Sequence, residues 1–386
     1  MSLFNRHPQP SSPPTELGRH HILSSTSGLR ISPLALGGGN IGQAWSQAWG
    51  AMSKPQAFTL LDAYFEAGGN FIDTANDYQN GESESWIGEW LAQNQIRDQV
   101  VIATKYTADC RLESAGPGKR GRTANSGGNH RRSLHTSVRD SLERLQTEYI
   151  DILYVHWWDY TTSIEEVVDS LHALVMQGRV MYLGISDAPA WVVSAANMYA
   201  REKGRTQFSI YSGRWNVLSR DFEREILPMV RSFGMALAPW GCLGSGRWQS
   251  RKGLEERQDP LRPLLGGQAE VDVRLCEVLE RVAGEHGVES VTQIALAYVL
   301  TKARQFGIYN CFPIVGGRKV EQLHENIGAL VIRLTEEQIQ ALEAVQEFDI
   351  GFPANFVGSD PNVTGEASGL TERPVIRLQS PDMQDI

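Results

Sequence analysis

Hydrophobic residues in this chain alternate between short runs and longer segments of helical spacing from about Ile31 onwards. Short apolar runs that are each followed by an amphipathic segment are typical of repeated βα units, which form a parallel sheet. Several of the helical segments begin at Ser or Asp and end at Gly, which are common helix boundaries. The candidate strands are ISPLALG, NFIDT, VVIATK, IDILYVH, VMYLGIS, QFSIY, MALAPW and CFPIVG.

Eight βα units predict an α/β protein with a single (β/α)8 TIM barrel, a fold that takes about 250 residues plus insertions. A doubly wound open sheet is the alternative architecture. It is disfavoured because no GxGxxG motif follows an early strand, and GGGNIG after the first strand lacks the spacing of a dinucleotide fingerprint.

The barrel repeat leaves both ends of the chain and two internal segments unexplained. We predict a flexible N-terminal extension over residues 1–16, the barrel over 17–350 and a polar C-terminal tail over 351–386. Long polar insertions at 108–131 and 243–270 follow the third and seventh strands. Loops of this length in a compact barrel are lids or binding loops, with surface disorder as the alternative.

Composition and charge restrict the class of protein. The 386 residues are 41% hydrophobic and 21% charged, and the net charge of −9 gives no basic surface for nucleic acid. No apolar run approaches the roughly 18 residues of a membrane span, and the N-terminus does not resemble a signal peptide. Widely spaced cysteines suggest reduced thiols, so we expect a cytoplasmic protein. An oligomer is compatible with the sequence and is not specified by it. The cysteines are Cys110, Cys242, Cys276 and Cys311.

Polar side chains stand where three predicted strands end. Asp73 ends NFID, Lys105 ends VVIATK and His156 ends IDILYVH, and Tyr78 lies in the loop just after Asp73. Parallel strands of a barrel open on the same face, so these four groups should converge. Taken singly, Asp73 could cap a turn, Tyr78 could be a half-buried aromatic and His156 a core histidine. Together, at equivalent strand ends, they indicate a site.

The four residues suit the protonation of a carbonyl oxygen while a hydride arrives at carbon. Tyrosine has a pKa near about 10 and is a weak acid at neutral pH unless a nearby ammonium, here Lys105, lowers it. Asp73 would hold Lys105 in its charged form, and His156 would donate to the carbonyl oxygen. No metal is required. A Schiff-base role for Lys105 is the alternative, and Asp73 opposes it by keeping the amine protonated.

The motifs GGNFIDTANDY, ATK, YVHWWD, LGISD, QFSIY, PWG and FPIVGGRKVEQLHEN resemble the aldo-keto reductase superfamily from about Leu17 to Phe348. HWWDYTTSIEEVVDSLHALV and ISDAPAWVV resemble the subgroup of fungal aryl-alcohol dehydrogenases and norsolorinic acid reductases. The resemblance implies an NADPH-dependent barrel enzyme with Tyr78 as proton donor, Asp73 and Lys105 tuning it, and His156 orienting the carbonyl.

The resemblance also implies the nicotinamide site. Ser186 and Asp187 stand where the family usually has Ser-Asn, and with Gln207 they would hold the nicotinamide carboxamide. The aspartate lacks the donor amide that asparagine would supply at this position. Trp240 matches the aromatic residue on which the nicotinamide ring stacks, although a rim aromatic is its alternative role.

The phosphates and adenine of the cofactor are implied to lie along the seventh and eighth strand ends. Gly316, Gly317 and Arg318 precede a helix, where free N–H groups favour an anion, and the Arg318 fork favours NADPH over NADH. The residues implied for the pyrophosphate are Gly241, Leu243 and Ser245. Those implied for adenine and its phosphate are Gln322, Glu325 and Asn326, on a helix face that would otherwise be solvated.

An aromatic substrate pocket completes the prediction. Its aromatic side chains indicate an aromatic or polyketide-like carbonyl substrate, and a packing role for each is the alternative. We therefore predict a reversible NADPH-dependent reductase of aromatic aldehydes or ketones, which the resemblance links to fungal secondary metabolism. A non-catalytic, cofactor-sensing subunit of a larger assembly is the alternative function. The pocket residues are Trp45, Trp49, Tyr106, Trp157 and Trp158.

Overall fold

Eight parallel strands form a barrel in a computed structural model that describes residues 12–46, 52–109, 123–249, 269–358 and 360–364. The barrel strands are β3 Ala35–Gly37, β4 Phe71–Asp73, β5 Val101–Tyr106, β6 Ile150–Val155, β7 Val180–Ser186, β8 Phe208–Arg214, β9 Ala236–Trp240 and β10 Ile314–Val315, and they are preceded by a separate pair, β1 His21–Ser24 and β2 Ser27–Ile31. The order of the barrel strands is β10-β3-β4-β5-β6-β7-β8-β9, and a parallel bridge between Leu237 and Cys311 joins the two edges of this sheet. The predicted (β/α)8 fold is confirmed.

Helices surround the barrel, and local sequence sets several of their starts. Ser53 and Gln56 form a capping box at the first helix, and Ser163 caps the fourth through the Glu166 N–H. The helices are α1 Lys54–Glu66, α2 Glu82–Asn94, α3 Arg131–Arg144, α4 Ile164–Met176, α5 Ala190–Lys203, α6 Ile226–Phe233, α7 Glu270–Glu285, α8 Val291–Gln305, α9 Val320–Gly328, α10 Glu336–Glu343, α11 Ala354–Val357 and α12 Pro361–Thr364.

An antiparallel hairpin, β1 and β2, precedes the barrel and was not predicted, because the βα pattern begins only at Ile31. Its Leu23 and Ile31 are fully buried in the same apolar cluster as Phe71 and Phe312 of the barrel interior. Thr26 in the hairpin turn donates a hydrogen bond to Ser209 at 3.0 Å. The hairpin therefore closes the N-terminal end of the barrel.

Strand residues alternate between the barrel interior and the helix layer. On β5, Val101 and Ala103 belong to the interior cluster, whereas Ile102 and Tyr106 belong to the cluster between strands and helices. Side chains of a strand alternate with a period of two, so Lys105 points inward at the C-terminal end. This parity decides which predicted residues reach the site.

Parts of the predicted segments lie outside the described residues. Most of the 1–16 extension, most of the 351–386 tail and the centres of the 108–131 and 243–270 insertions belong to this group, as do Trp49 and Cys110. The second insertion ends as helix α7 begins. Cys242, Cys276 and Cys311 are buried, and none of these three described cysteines forms a disulfide bond. None of the described helices is long and apolar enough to cross a membrane.

Candidate active site

The four predicted polar residues meet in one cavity of about 1280 Å³ at the C-terminal ends of the strands. Asp73 ends β4, Lys105 is the penultimate residue of β5, and His156 directly follows β6. Tyr78 begins a short 3-10 turn, Tyr78–Gly81, between β4 and α2. All four line the cavity, so the structure brings together side chains that are far apart in the chain.

Lys105 is the centre of this group. Its Nζ donates to Asp73 Oδ1 at 2.5 Å and to the Thr74 carbonyl at 2.8 Å, and lies 3.4 Å from the Tyr78 hydroxyl. Lys105 and Asp73 are each only 2% exposed. Burial lowers the pKa of Lys105, but the charge and hydrogen bonds of Asp73 and Tyr78 together outweigh burial, so the net shift of this pKa is upward. The pair is therefore a buried salt bridge with its cation beside the phenol.

The pKa of Tyr78 moves in the opposite direction to the sequence-based prediction. Burial raises the pKa to about 12, although Lys105 lowers it, because desolvation of the phenolate outweighs the nearby cation. Asp73 and Asp77 add to the rise. Tyr78 is therefore a neutral phenol at physiological pH, ready to donate its hydrogen but not strongly acidic in the free site.

His156 packs against the phenol with its ring. The ring centroids of His156 and Tyr78 are 5.7 Å apart at an angle of 73°. Burial, and then the charge of Lys105, lower the pKa of His156 well below its usual value. The imidazole is neutral at physiological pH, so it carries one ring hydrogen, on either Nδ1 or Nε2.

A buried charge network, which the sequence analysis missed, holds the segment that carries Tyr78. Glu84 in α2 is fully buried, and its two oxygens accept from Thr104 of β5 at 2.5 Å and from Arg144 of α3 at 2.7 Å. Arg144 also donates to the Asn76 carbonyl at 3.4 Å. Glu84 and Arg144 thus hold the strand, the loop and both helices together next to the phenol.

The predicted nicotinamide residues of β7 and β9 lie together in the cavity. Ser186 Oγ donates to Asp187 Oδ2 at 3.0 Å, and the Trp240 indole N–H donates to the same oxygen at 3.3 Å. Burial raises the pKa of Asp187, and these two hydrogen bonds partly offset the rise. Trp240 is 37% exposed, so its ring is available for stacking.

Gln207 does not reach the cavity, and its predicted role is wrong. It precedes β8, at the end of the barrel remote from the site, and its side chain accepts a hydrogen bond from Arg201 at 2.7 Å. Ser212, further along β8, lines the cavity instead, and its buried Oγ has no hydrogen-bond partner within the described protein. The mistake lay in assigning the polar residue at the wrong end of the strand.

The remaining predicted cofactor residues line the far side of the same cavity. A side chain at Gly316 would press against Asn40 at 3.1 Å, and one at Gly317 would press against Gln322 at 3.3 Å, so both positions are tightly packed against neighbouring side chains. Gln322 accepts from the Arg318 N–H at 2.9 Å, and Glu325 accepts from Ser290 at 2.9 Å. The lining residues of this group are Gly241, Leu243, Ser245, Gly316, Gly317, Arg318, Gln322, Glu325 and Asn326.

The predicted aromatic pocket is only partly correct. Trp45 lines the cavity, with its ring 6.3 Å from that of Tyr78. Trp157 is 40% exposed and its ring lies 4.7 Å from that of His156, but Trp157 does not line the cavity. Tyr106 and Trp158 are buried in the layer between strands and helices and do not line the cavity. Tyr106 alternates with Lys105 along β5 and therefore faces outward.

The arrangement has the groups needed to bind an extended cofactor and to transfer a proton. The orphaned hydroxyl of Ser212, the glycine-lined space and the Trp240 ring fit a nicotinamide dinucleotide along one side of the cavity. Within the described ranges, no group of three or more His, Cys, Asp or Glu side chains is placed to hold a metal ion.

Comparison with known proteins gives consistent matches. The sequence model of the aldo/keto reductase family matches residues 33–347. A putative aryl-alcohol dehydrogenase of Saccharomyces cerevisiae is 60% identical over 364 residues, covering 93% of this chain and 95% of the relative. An aldo-keto reductase of Aspergillus calidoustus is 55% identical over 96% of this chain and 92% of its own length. A norsolorinic acid reductase of Aspergillus flavus is 48% identical over 92% and 88%, respectively.

Proposed function

The chain belongs to the aldo/keto reductase family of oxidoreductases, and on that basis we propose that it is a reversible NADPH-dependent reductase of aromatic aldehydes or ketones. The observation that carries this proposal is the contact between the Tyr78 hydroxyl and Lys105 Nζ, at 3.4 Å, in a cavity with room for a dinucleotide. The names of the relatives support an aromatic substrate. A cytoplasmic role in fungal secondary metabolism is part of the proposal.

We assign to Tyr78 the role of donating the proton that the carbonyl oxygen receives. Bound NADPH would supply the hydride for the carbonyl carbon. Tyr78 donates its hydroxyl hydrogen to the carbonyl oxygen, and the ammonium of Lys105 stabilises the phenolate that is left. His156 donates a hydrogen bond to the same oxygen and fixes its position. Asp73 keeps Lys105 charged and in place through the 2.5 Å bond. In the reverse direction the Tyr78 phenolate accepts the alcohol hydrogen.

The residues proposed to bind the cofactor can be grouped by the part of the cofactor that each side chain can contact. Ser212, whose hydroxyl is unpaired, can donate to the carboxamide oxygen, and Ser186 can do so when its single hydroxyl hydrogen turns away from Asp187. Asp187 can accept from the amide nitrogen of the carboxamide. The Trp240 ring offers a stacking surface for the nicotinamide. Arg318, beside the start of α9, pairs with the extra phosphate that distinguishes NADPH from NADH.

A carbonyl panel tests the proposed function. Purified protein mixed with NADPH should consume the reduced cofactor with aryl aldehydes or aromatic polyketide ketones, and turn over simple aliphatic aldehydes more slowly. Loss of nicotinamide absorbance measures the rate. Tight NADPH binding without turnover on any member of the panel would contradict the proposal and favour the cofactor-sensing alternative.

Replacement of Arg318 tests the cofactor preference. A bidentate bond to phosphate contributes about 1.5–3 kcal/mol, so Arg318→Ala should weaken NADPH binding by roughly 10–100-fold and NADH binding much less. Fluorescence titration gives both Kd values. Lys319→Ala is the matched control, because Lys319 is exposed and does not line the cavity. Equal weakening of NADH and NADPH by Arg318→Ala would contradict the assignment.

A further inference from the structure

Two buried atoms behind the site face one another without a hydrogen-bond partner. They are His156 Nδ1 and Asp77 Oδ1, 3.7 Å apart, and neither is satisfied elsewhere in the described protein. A buried polar atom without a hydrogen-bond partner lowers the stability of the folded state, and two such atoms that face each other are unusual. A small movement of either side chain would join them, and such bonds are often long in an unliganded site and tighten when substrate binds.

Asp77 is placed to form a hydrogen bond with His156 because it directly precedes the turn that carries Tyr78. The turn Tyr78–Gly81 begins directly after it, and the Asn80 N–H donates to the Asp77 carbonyl at 2.8 Å. The Asp77 side chain is 24% exposed although its Oδ1 is buried, so the carboxyl group connects the imidazole with solvent. Asp77 does not line the cavity and would act only through His156.

We propose that Asp77 is a positioning residue that pairs with His156 Nδ1 and thereby determines whether Nε2 presents a hydrogen or a lone pair to the substrate. The inference rests on the proposed function only for the identity of the substrate groups. His156 lines the cavity and Nδ1 faces Asp77, so Nε2 is the nitrogen left for the substrate.

The pair has two relevant states that differ by one proton exchanged with solvent. In the two-hydrogen state, the Asp77 carboxyl group and the His156 ring each carry one exchangeable hydrogen: protonated Asp77 donates to Nδ1, and the ring hydrogen is on Nε2, which donates to a carbonyl oxygen. In the one-hydrogen state, only the ring carries a hydrogen: Nδ1–H donates to the Asp77 carboxylate, and Nε2 accepts from an alcohol hydroxyl. The first state serves reduction and the second serves oxidation. The two groups titrate as a unit, so the apparent pKa belongs to the pair.

The charges around the pair favour neutral forms of both members. Burial and Lys105 lower the pKa of His156, and burial raises the pKa of Asp77, with Lys105 opposing this rise and Glu84 adding to it. Tyr78 packs its ring against His156 and is uncharged at physiological pH. A protonated carboxyl beside a neutral imidazole is therefore accessible, as the two-hydrogen state requires.

Nitrogen NMR of the ring tests the proposal without cofactor or substrate. In protein labelled with 15N in the rings of its nine histidines, the His156 signals are those absent from His156→Gln. We expect His156 to carry its hydrogen on Nδ1 at high pH and on Nε2 at low pH. Asp77→Asn should hold it on Nε2 throughout, because the amide donates to Nδ1. This result stands even if the protein reduces no carbonyl.

Kinetics in both directions provide the second readout. Above the inflection of the pair, kcat/KM for reduction should fall about tenfold per pH unit, whereas the contribution of the pair to kcat/KM for oxidation should rise up to the inflection and be constant above it. Asp77→Asn should remove this inflection, and Asp77→Ala, which neither donates nor accepts, should remove it as well. A merely structural role would lower the rate equally at every pH. Unchanged His156 tautomers and an unchanged inflection in both variants would overturn the proposal.

Discussion

Replacing Tyr78 with phenylalanine should lower kcat for carbonyl reduction by about 10²–10⁴-fold, the usual contribution of a positioned acid. The change removes only the hydroxyl that lies 3.4 Å from Lys105 Nζ. The ring that packs against Trp45 and His156 remains, so the cavity keeps its shape. Steady-state rates with an aryl aldehyde measure the loss, and the Kd for NADPH should change less than about threefold.

The pH dependence of this step follows from the neutral phenol. Tyr78 has a pKa of about 12 in the free site, so its acid form persists over the working range and reduction does not require its prior ionisation. Oxidation requires the phenolate, which becomes more abundant as pH rises towards that pKa. Tyr160→Phe is the control, because Tyr160 is 72% exposed. Full activity of Tyr78→Phe would refute its role as proton donor.

Replacing Lys105 with methionine should remove activity and also destabilise the fold. The change leaves the Asp73 carboxylate buried without its cation, a situation that costs about 3–5 kcal/mol. In the variant, burial raises the folded-state pKa of Asp73 above its unfolded value. The loss of stability is therefore full above that folded-state pKa and is relieved as pH falls through it, because the protonated acid needs no cation. Denaturant unfolding at several pH values measures both effects.

A second change separates stability from catalysis. Asp73→Asn combined with Lys105→Met removes the unpaired charge, so the double variant should regain most of the stability at neutral pH and none of the activity. Hydrogen bonds of the introduced amide group would replace part of the lost salt bridge. If Lys105→Met were as stable as the unchanged protein and equally active, the ammonium would have no part in either property.

The barrel and the meeting of the four polar residues were predictable because both depend on period and direction. Parallel strands place their C-terminal ends on the same face, so Asp73, Lys105 and His156 could be grouped from strand boundaries alone. The hairpin was missed because only part of HILSSTSGLRI lies within the βα pattern. The run of Ser and Thr between HIL and GLRI, which is typical of a turn between two strands, was an available signal.

The errors in the site have geometric causes. Gln207 was assigned from the resemblance of QFSIY to a family motif, but a strand advances about 3.3 Å per residue, so Gln207 lies roughly 16 Å from the level of Ser212. Tyr106 neighbours Lys105 in sequence and therefore faces the other way. The Glu84–Arg144 pair and the high pKa of Tyr78 depend on three-dimensional burial, which no local pattern in the sequence reports.

The protein separates its stable parts from its adaptable ones. The groups that move the proton are buried and tied to three strands, whereas Trp45 in the cavity lining is half-buried and Trp157 beside His156 is open to solvent. Substitutions at an exposed position such as Trp157 usually change stability by less than about 0.5 kcal/mol. Sequence changes around the cavity mouth therefore leave the proton-transferring groups in place, so one scaffold can serve different substrates.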